Sequence, residues 1–499
     1  MMLQLLFGIT QRGDSMIKKP NIILMMVDQL RFDTLGFNGH EIVSTPNLDM
    51  MAKQGYNFEN AYSAVPTCIP SRAALLTGLN QRNHHRVGYE DGIPWEYEKT
   101  IAKEFTSSGY QTEAIGKMHV YPERNRLGFE HVLLHDGYLH EGRKYRKSTQ
   151  SQFEQVDDYL KWLKNKKGSD IDIYETGLDC NSWVARPWIG EEAVHPTNWI
   201  VTESIDFLKR RDPTQPFFLK MSFARPHSPL DPPEYYFNMY MTQKEKFPEI
   251  NIGDWAKEFM GDPDFSTIAS KGDYSKDDMD RMMAGYYGLI THIDHQIGRF
   301  LIALTEHDLD KNTIVLFLSD HGDQLGEHHL FRKAYPYQGS THIPFFIYDP
   351  GRLINGNPQS IDEIVELRDV YPTLISLAVG KQVTDIDGLD LSKTILNKER
   401  TREYLHGEHY LGEDSSQFIV TKNWKYIWYP IKNLKQLFHL NNDPNELVNL
   451  VENKEFEGIK IQLELWLIKE LEDREEGFVF ESHLVKREIN DLVTFLSNY

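Results

Sequence analysis

Several runs of apolar sequence stop abruptly at acidic, basic or imidazole side chains, and few folds accommodate that pattern. Asn21-Ile22-Ile23-Leu24-Met25-Met26-Val27 is unbroken and ends in Asp28-Gln29. Phe217 to Phe223 leads into Arg225-Pro226-His227, and Thr313 to Leu318 leads into Ser319-Asp320-His321-Gly322-Asp323. A shorter run, Gln111 to Gly116, delivers Lys117-Met118-His119. Unbroken apolar runs of this length predict strands covered on both faces, as in a parallel sheet. Helical patterns lie between them: a helix from about Thr45 to Gly55 with Asn47 as cap, Asn198 to Arg210, and a long amphipathic helix from Met279 to Thr305. Strands alternating with helices predict an α/β fold with a large, mostly parallel central sheet flanked by helices. In such sheets ligands bind beyond the carboxyl ends of the strands. Asp28, Lys117, His119, His227, Asp320 and His321 all fall at that edge.

The rest of the chain reads differently. His342 to Tyr348 is a further strand, whereas residues 137–199 lose periodicity and carry Lys144-Tyr145-Arg146-Lys147, Trp183, Arg186 and Trp188. We read this segment as a substrate-facing insertion. Residues 231–276 form a second mixed stretch. Three short strands near 417–421, 425–429 and 436–440 and a helix over 458–474 predict a small antiparallel sheet-plus-helix subdomain. The expected division is a catalytic domain over 17–390 and a C-terminal α+β subdomain over 391–499.

One further stretch is distinctive: Val65-Pro66-Thr67-Cys68-Ile69-Pro70-Ser71-Arg72-Ala73-Ala74-Leu75-Leu76-Thr77-Gly78. Cys68, followed by a proline suited to the first helical position, opens a short apolar helix that stops at Gly78. The cysteine then sits at the positive end of the helix dipole, among unpaired N–H groups, where anions such as sulfate or phosphate bind. Arg72, one turn on, adds a planar cation.

Cys-x-Pro-Ser-Arg followed by Leu-Thr-Gly resembles the signature of the type I sulfatases of the alkaline phosphatase superfamily, and the likeness runs in motif order from about Asn21 to Leu450. The resemblance implies an alkaline phosphatase-like fold and a sulfuric ester hydrolase whose Cys68 is oxidised to Cα-formylglycine by a maturase. It places one divalent metal at Asp28, Gln29, Cys68, Asp320 and His321. The family's frequent Asp-Asp and Asp-Asn pairs are here Asp28-Gln29 and Asp320-His321. Ca²⁺ is the expected ion, and the nitrogen ligand also admits Mn²⁺ or Mg²⁺. Lys117 and His119 match the family's Lys-x-His, His227 its second His and Lys333 its later Lys. In the implied reaction one hydroxyl of hydrated formylglycine attacks sulfur, aided by Arg72 and His119. His227 or Lys333 protonates the departing alcohol, and the second hydroxyl expels sulfate. The paired histidines His84-His85 and His328-His329 are read as structural or supporting.

The variant metal pairs also resemble phosphonate monoester hydrolases, so a phosphonate monoester or phosphodiester hydrolase is the alternative reading. A third is a catalytically dead binding protein for sulfated ligands, which requires an unconverted thiol. Arg225, Arg332 and the aromatic-basic segment suit a sulfated sugar with a carboxylate nearby; a small aryl or alkyl sulfate is equally compatible. With 54 basic and 74 acidic residues the net charge is −20, which argues against nucleic acid or an anionic membrane as partner. Two cysteines in 499 residues are not a disulfide framework. Met1 to Thr10 makes a poor signal peptide and no run reaches transmembrane length, so a cytoplasmic location is expected.

Overall fold

The apolar runs lie side by side in a computed structural model that describes residues 19–497, apart from 138, 140–155, 169–170, 172, 174–175 and 261–265. Eight strands share one sheet: β1 (Asn21–Asp28), β2 (Tyr56–Tyr62), β3 (Gln111–Gly116), β4 (His131–Leu134), β5 (Phe217–Pro226), β6 (Thr313–Ser319), β7 (Phe345–Tyr348) and β8 (Gln359–Glu366). Their spatial order is β4-β3-β5-β1-β6-β7-β2-β8. β1 runs parallel to both neighbours, with Met25 opposite Met221 on one side and Phe317 on the other. Only β7 is reversed, antiparallel to β6 and β2.

Alternate residues of β1 enter two separate cores, which explains its unbroken apolar run. Ile23, Met25 and Val27 pack with the helix Lys276–Glu306, while Ile22, Leu24 and Met26 pack with the helices Cys68–Thr77 and Val370–Val379. Each buried side chain of this size contributes about 1.5–3 kcal/mol, so both faces of β1 are held by apolar contact. The helix Lys276–Glu306 starts where Ser275 caps the Asp278 N–H, with Asp277 and Asp278 in its first turn.

Several expectations are corrected. The helix near residue 46 runs Pro46–Lys53 with Thr45 at its N-cap. Asn47 lies inside it and spends its side chain on Asp294. The expected strand over 342–348 begins only at Phe345, because Gln338–Thr341 is a helical turn and Pro344 lacks a ladder donor. β2, β4 and β8 carry polar residues on their exposed sides, so no continuous apolar run announces them. The segment after residue 137 contains the helix Asp158–Lys167, capped by Asp157. Lys144, Tyr145, Arg146 and Lys147 lie outside the described residues. Trp183 and Trp188 do not face a ligand; both are buried, Trp183 with its ring 4.2 Å from that of Tyr274. Arg186 is tied to the Thr176 carbonyl. The large rings fill space between this segment and its neighbours, which is the ordinary use of buried aromatics.

The C-terminal sheet has four antiparallel strands, β9 (Leu405–His409), β10 (Ser416–Val420), β11 (Trp424–Tyr429) and β12 (Leu434–His439), in the order β12-β11-β10-β9. One face packs on the helix Glu457–Leu471 through Ile419, Tyr426 and Trp428. The other shares a core with Tyr62, Trp255, Tyr335 and Tyr337 of the main domain. β9 therefore delivers residues to the edge of the large sheet.

A buried ion pair ties β9 to the stretch after the helix Glu457–Leu471, within the C-terminal subdomain. Arg474 grips Glu408 of β9 with two bonds of 2.9 and 3.0 Å and also reaches Glu476. Arg474→Ala would leave Glu408 buried without its counter-charge, at an expected cost of about 3–5 kcal/mol, measurable by urea unfolding at pH 7. Burial works against the Glu408 carboxylate, but Arg474 and His406 hold its pKa below the usual value of 4.5. Its contribution is thus present above 4.5 and is lost as pH falls through the lower folded value. The variant should accordingly show a shallower loss of stability on acidification.

Candidate active site

Four adjacent strands, β3, β5, β1 and β6, end together, and the helix Cys68–Thr77 points its first residue at their tips. Thr67 is its N-cap and Gly78, at φ 71°, closes it with an N–H to Ala74. Cys68 itself holds the first helical position and Pro70 the third, where a missing N–H also costs nothing. Cys68 is 1 % exposed. Its Sγ lies 3.3 Å from His321 Nε2, 3.4 Å from Lys333 Nζ, 3.7 Å from Lys117 Nζ and 3.8 Å from Asp28 Oδ1.

The carboxylates are split between two duties. Asp28 Oδ2 accepts from Arg72 at 2.9 Å and from Lys117 at 2.6 Å, and Asp320 Oδ2 accepts from Arg72 at 2.8 Å. The two Oδ1 atoms turn toward the His321 Nε2, each 3.8 Å from it. His321 Nδ1 donates to the Gly322 carbonyl at 3.0 Å, so in the neutral ring Nε2 faces the cluster as an acceptor. One donor atom each from Asp28, Cys68, Asp320 and His321 all lie within 4.8 Å of one another. Oxygen ligands about 2.4 Å from one ion stand about 3.4 Å apart in octahedral geometry, so this set fits a divalent cation.

Arg72 was expected to aid the attack on substrate, but its guanidinium is fully buried beneath the site. Besides the two carboxylates it binds the Lys117 carbonyl and Ser222 Oγ, so it positions rather than touches a ligand. Gln29 was expected on the metal. Its carboxamide instead bridges Asp323, to which it donates, and Lys333, from which it accepts at 2.9 Å. Its N–H supports Asp320 Oδ1. Gln29 and His119 both adopt positive φ, 64° and 57°, a conformation that costs roughly 1–3 kcal/mol and is held by its surroundings. For His119 the holder is Asp136, whose Oδ1 accepts the N–H groups of Met118 and His119. Both ring nitrogens of His119 are buried without a hydrogen-bond partner.

Electrostatics follow from this packing. Burial opposes the Cys68 thiolate, yet Lys117, Lys333 and His321 outweigh it and hold its pKa well below the ordinary thiol value. Burial likewise opposes a charged His321, and Asp320 with Cys68 raises its pKa nonetheless. His227 is pushed down to about 4 by burial and by Lys333 and Lys117. Its Nδ1 donates to the Ser228 carbonyl, so the Nε2 facing Lys333 accepts.

A cavity of about 550 Å³ opens over Cys68, with Tyr89, Asp179, Arg332, Lys333, Tyr335 and His409 among its walls. Sequence reasoning brought Cys68, Lys117, His119, His227, Lys333, Asp28, Asp320 and His321 to one place, and the structure does the same. It assigned no role to Asp136, Asp323 or His409. Asp323 lies five residues past the Thr313–Leu318 run and was legible as part of its motif. His409 ends a strand of the C-terminal sheet that sequence did not anticipate. It is buried with both ring nitrogens unpaired. His84 and His328 lie outside the cluster as buried acceptors of the Arg86 and Gly253 N–H groups.

The family model described as Sulfatase matches residues 20–381, and that described as N-sulphoglucosamine sulphohydrolase, C-terminal matches residues 326–473. An arylsulfatase of Clostridium perfringens is 56 % identical over 94 % of this chain and 98 % of its own length. A choline-sulfatase of Rhizobium meliloti is 29 % identical over 87 % of this chain and 83 % of its own. Among solved structures, a phosphonate monoester hydrolase of Agrobacterium radiobacter superposes with a TM-score of 0.73 at 23 % identity, covering 90 % of this chain and 95 % of that one. A structure in complex with its substrate D-glucosamine-2-N,6-O-disulfate gives 0.69 at 22 %, covering 91 % and 98 %. These structural likenesses speak to the fold, which is alkaline phosphatase-like with a mostly parallel sheet. The chain belongs to the sulfatase family. It is a sulfuric ester hydrolase, and membership implies a metal centre and a formylglycine. The phosphonate hydrolase alternative has less support. Among the described residues no helix is long and apolar enough to cross a membrane.

Proposed function

We propose that this protein hydrolyses sulfate monoesters through a formylglycine made from Cys68, beside a divalent cation held by Asp28, Asp320, His321 and the group at position 68. The observation that carries the proposal is the convergence of those four donors within 4.8 Å, flanked by Lys117 and Lys333. Oxygen donors favour Ca²⁺, and the imidazole nitrogen admits Mn²⁺ or Mg²⁺. A bound cation supplies positive charge against the sulfate oxygens. A formylglycine hydrate supplies two hydroxyls on one carbon, one to attack sulfur and one to release sulfate without a second attack.

The chain's own residues do the rest. Lys117, anchored on Asp28, and Lys333 bracket position 68 from two sides and neutralise the charge that spreads over a sulfate there. His119 presents unpaired ring nitrogens at the cavity wall, available to a ligand hydroxyl. Because His227 carries its proton on Nδ1, away from the site, the proton for the departing alcohol comes from the Lys333 ammonium, which His227 and Gln29 orient. Lys333→Ala should therefore slow both substrates through its lost charge, and an alkyl sulfate by about 10²–10⁴-fold more than 4-nitrophenyl sulfate, since nitrophenolate leaves without a proton. Equal losses on both substrates would remove Lys333 from that role.

Co-production with a formylglycine-generating maturase is expected to raise specific activity. The reaction class is tested by comparing rates on an aryl sulfate and the matching aryl phosphonate. A sulfate preference is expected, and a clear phosphonate preference would overturn the proposal.

A further inference from the structure

Four cationic side chains of Lys and Arg line the cavity, and three are already engaged. Lys117 is bound to Asp28 at 2.6 Å, and Lys333 to Gln29 and His227. Arg225, read from sequence as a substrate contact, is buried and committed to Asp231 at 2.6 and 2.9 Å. Arg332 is different. Among the described residues its guanidinium makes no hydrogen bond or ion pair, although it lines the cavity and burial pushes its pKa down. A guanidinium drawn partly out of water without a partner is costly, and five unspent donors in a planar fork match an oxyanion.

Its placement sets it apart from position 68. Among the described residues no hydrogen bond joins it to Cys68, and the cavity-lining groups whose charge it feels are Asp179, Cys180 and Tyr335, whereas Lys333 next door reaches the Cys68 sulfur. Its backbone is fixed as well. Arg332 has a φ of 67°, donates its N–H to Asp323 Oδ1 at 3.0 Å and accepts from the Gln324 N–H at 2.6 Å. Asp323 also accepts from Gln29, which holds Lys333, so one carboxylate sets the spacing of the two adjacent cations. A site held this firmly in advance loses little entropy on binding.

We propose that Arg332 recognises a second anionic group on the alcohol portion of the substrate, so that preferred sulfate esters carry a carboxylate or another sulfo group near the scissile one. The inference rests on the sulfatase reading and names the substrate class for it.

The test compares kcat/KM for 4-nitrophenyl sulfate with that for analogues bearing a ring carboxylate or sulfonate ortho or meta to the sulfate ester, using matured, metal-loaded enzyme. Wild type should favour at least one anionic analogue, through KM. In Arg332→Gln, the KM for that analogue should rise about tenfold more than the KM for the unsubstituted ester, with Arg332→Lys intermediate. The carboxylate and sulfonate arms distinguish the two anion types. Equal effects of Arg332→Gln on all substrates, or no anionic preference in wild type, would overturn the inference while leaving the sulfatase reading intact. Failure of wild type to cleave even the unsubstituted ester would overturn both.

Discussion

Replacing Cys68 by Ala is expected to lower aryl sulfate hydrolysis by about 10⁴-fold or more, with the far-ultraviolet circular dichroism spectrum unchanged. The size of the effect follows from where the residue stands. Its Sγ lies within 3.8 Å of Lys117, Lys333, His321 and Asp28, so the group at position 68 is the one these four converge on. Ala is a good helix former at a helix start whose turn is closed by the Ser71 N–H to the Thr67 carbonyl, and Gly78 still ends the helix. Fold and chemistry should separate cleanly. Retention of more than about one per cent of wild-type activity would show that the nucleophile lies elsewhere.

Arg72→Ala should produce the second large effect, and on stability as well as activity. Arg72 is 0 % exposed and bonds both Asp28 and Asp320; without it Lys117 still pairs with Asp28, and the two carboxylates share only His321, 3.8 Å from each. Removing one partner of a buried charge cluster costs about 3–5 kcal/mol. In chelated protein we expect a loss of that order in urea unfolding. Part of it should be recovered when calcium is added, because the carboxylates regain a counter-charge. Arg72→Lys should fall between, since an ammonium restores charge but cannot also reach the Lys117 carbonyl and Ser222. A loss below about 1 kcal/mol in chelator would mean that the carboxylates are not held by this guanidinium.

How much of this was legible depends on where in the sheet each residue sits. β1, β5 and β6 are covered on both faces, so their composition alone gives strand, layer and the edge at which a ligand meets Asp28, His227 and Asp320. Toward the sheet edges the same physics works against the reader. β2 and β8 expose one side, alternate weakly and resemble loop. Asp136 follows the short strand β4, and His409 ends β9 of a different sheet, so no local pattern ties either to Cys68. The aperiodic segment after residue 137 does line the cavity, through Asp179, Cys180 and Asn181, but Trp183 and Trp188, the aromatic residues that suggested a ligand surface, serve packing instead. Arg225 and Arg332 look alike as letters. Only the fold brings Asp231 onto the first, while no carboxylate among the described residues pairs with the second.

The metal pair was equally ambiguous from sequence. Gln29 stands where a ligand was expected, yet a carboxamide has both a donor and an acceptor to place. Here Asp323 takes the first and Lys333 supplies the second, which makes Gln29 an orienting group for the proton donor.

The central claim is that position 68 of the active enzyme carries an aldehyde carbon in place of the cysteine thiol. Peptide mass spectrometry of the tryptic fragment containing residue 68, taken from material with measured turnover, tests it most directly. The expected result is the mass decrement of a CH₂SH group replaced by CHO, at an occupancy that rises and falls with specific activity across preparations. Full activity from a fragment retaining the intact thiol would contradict it.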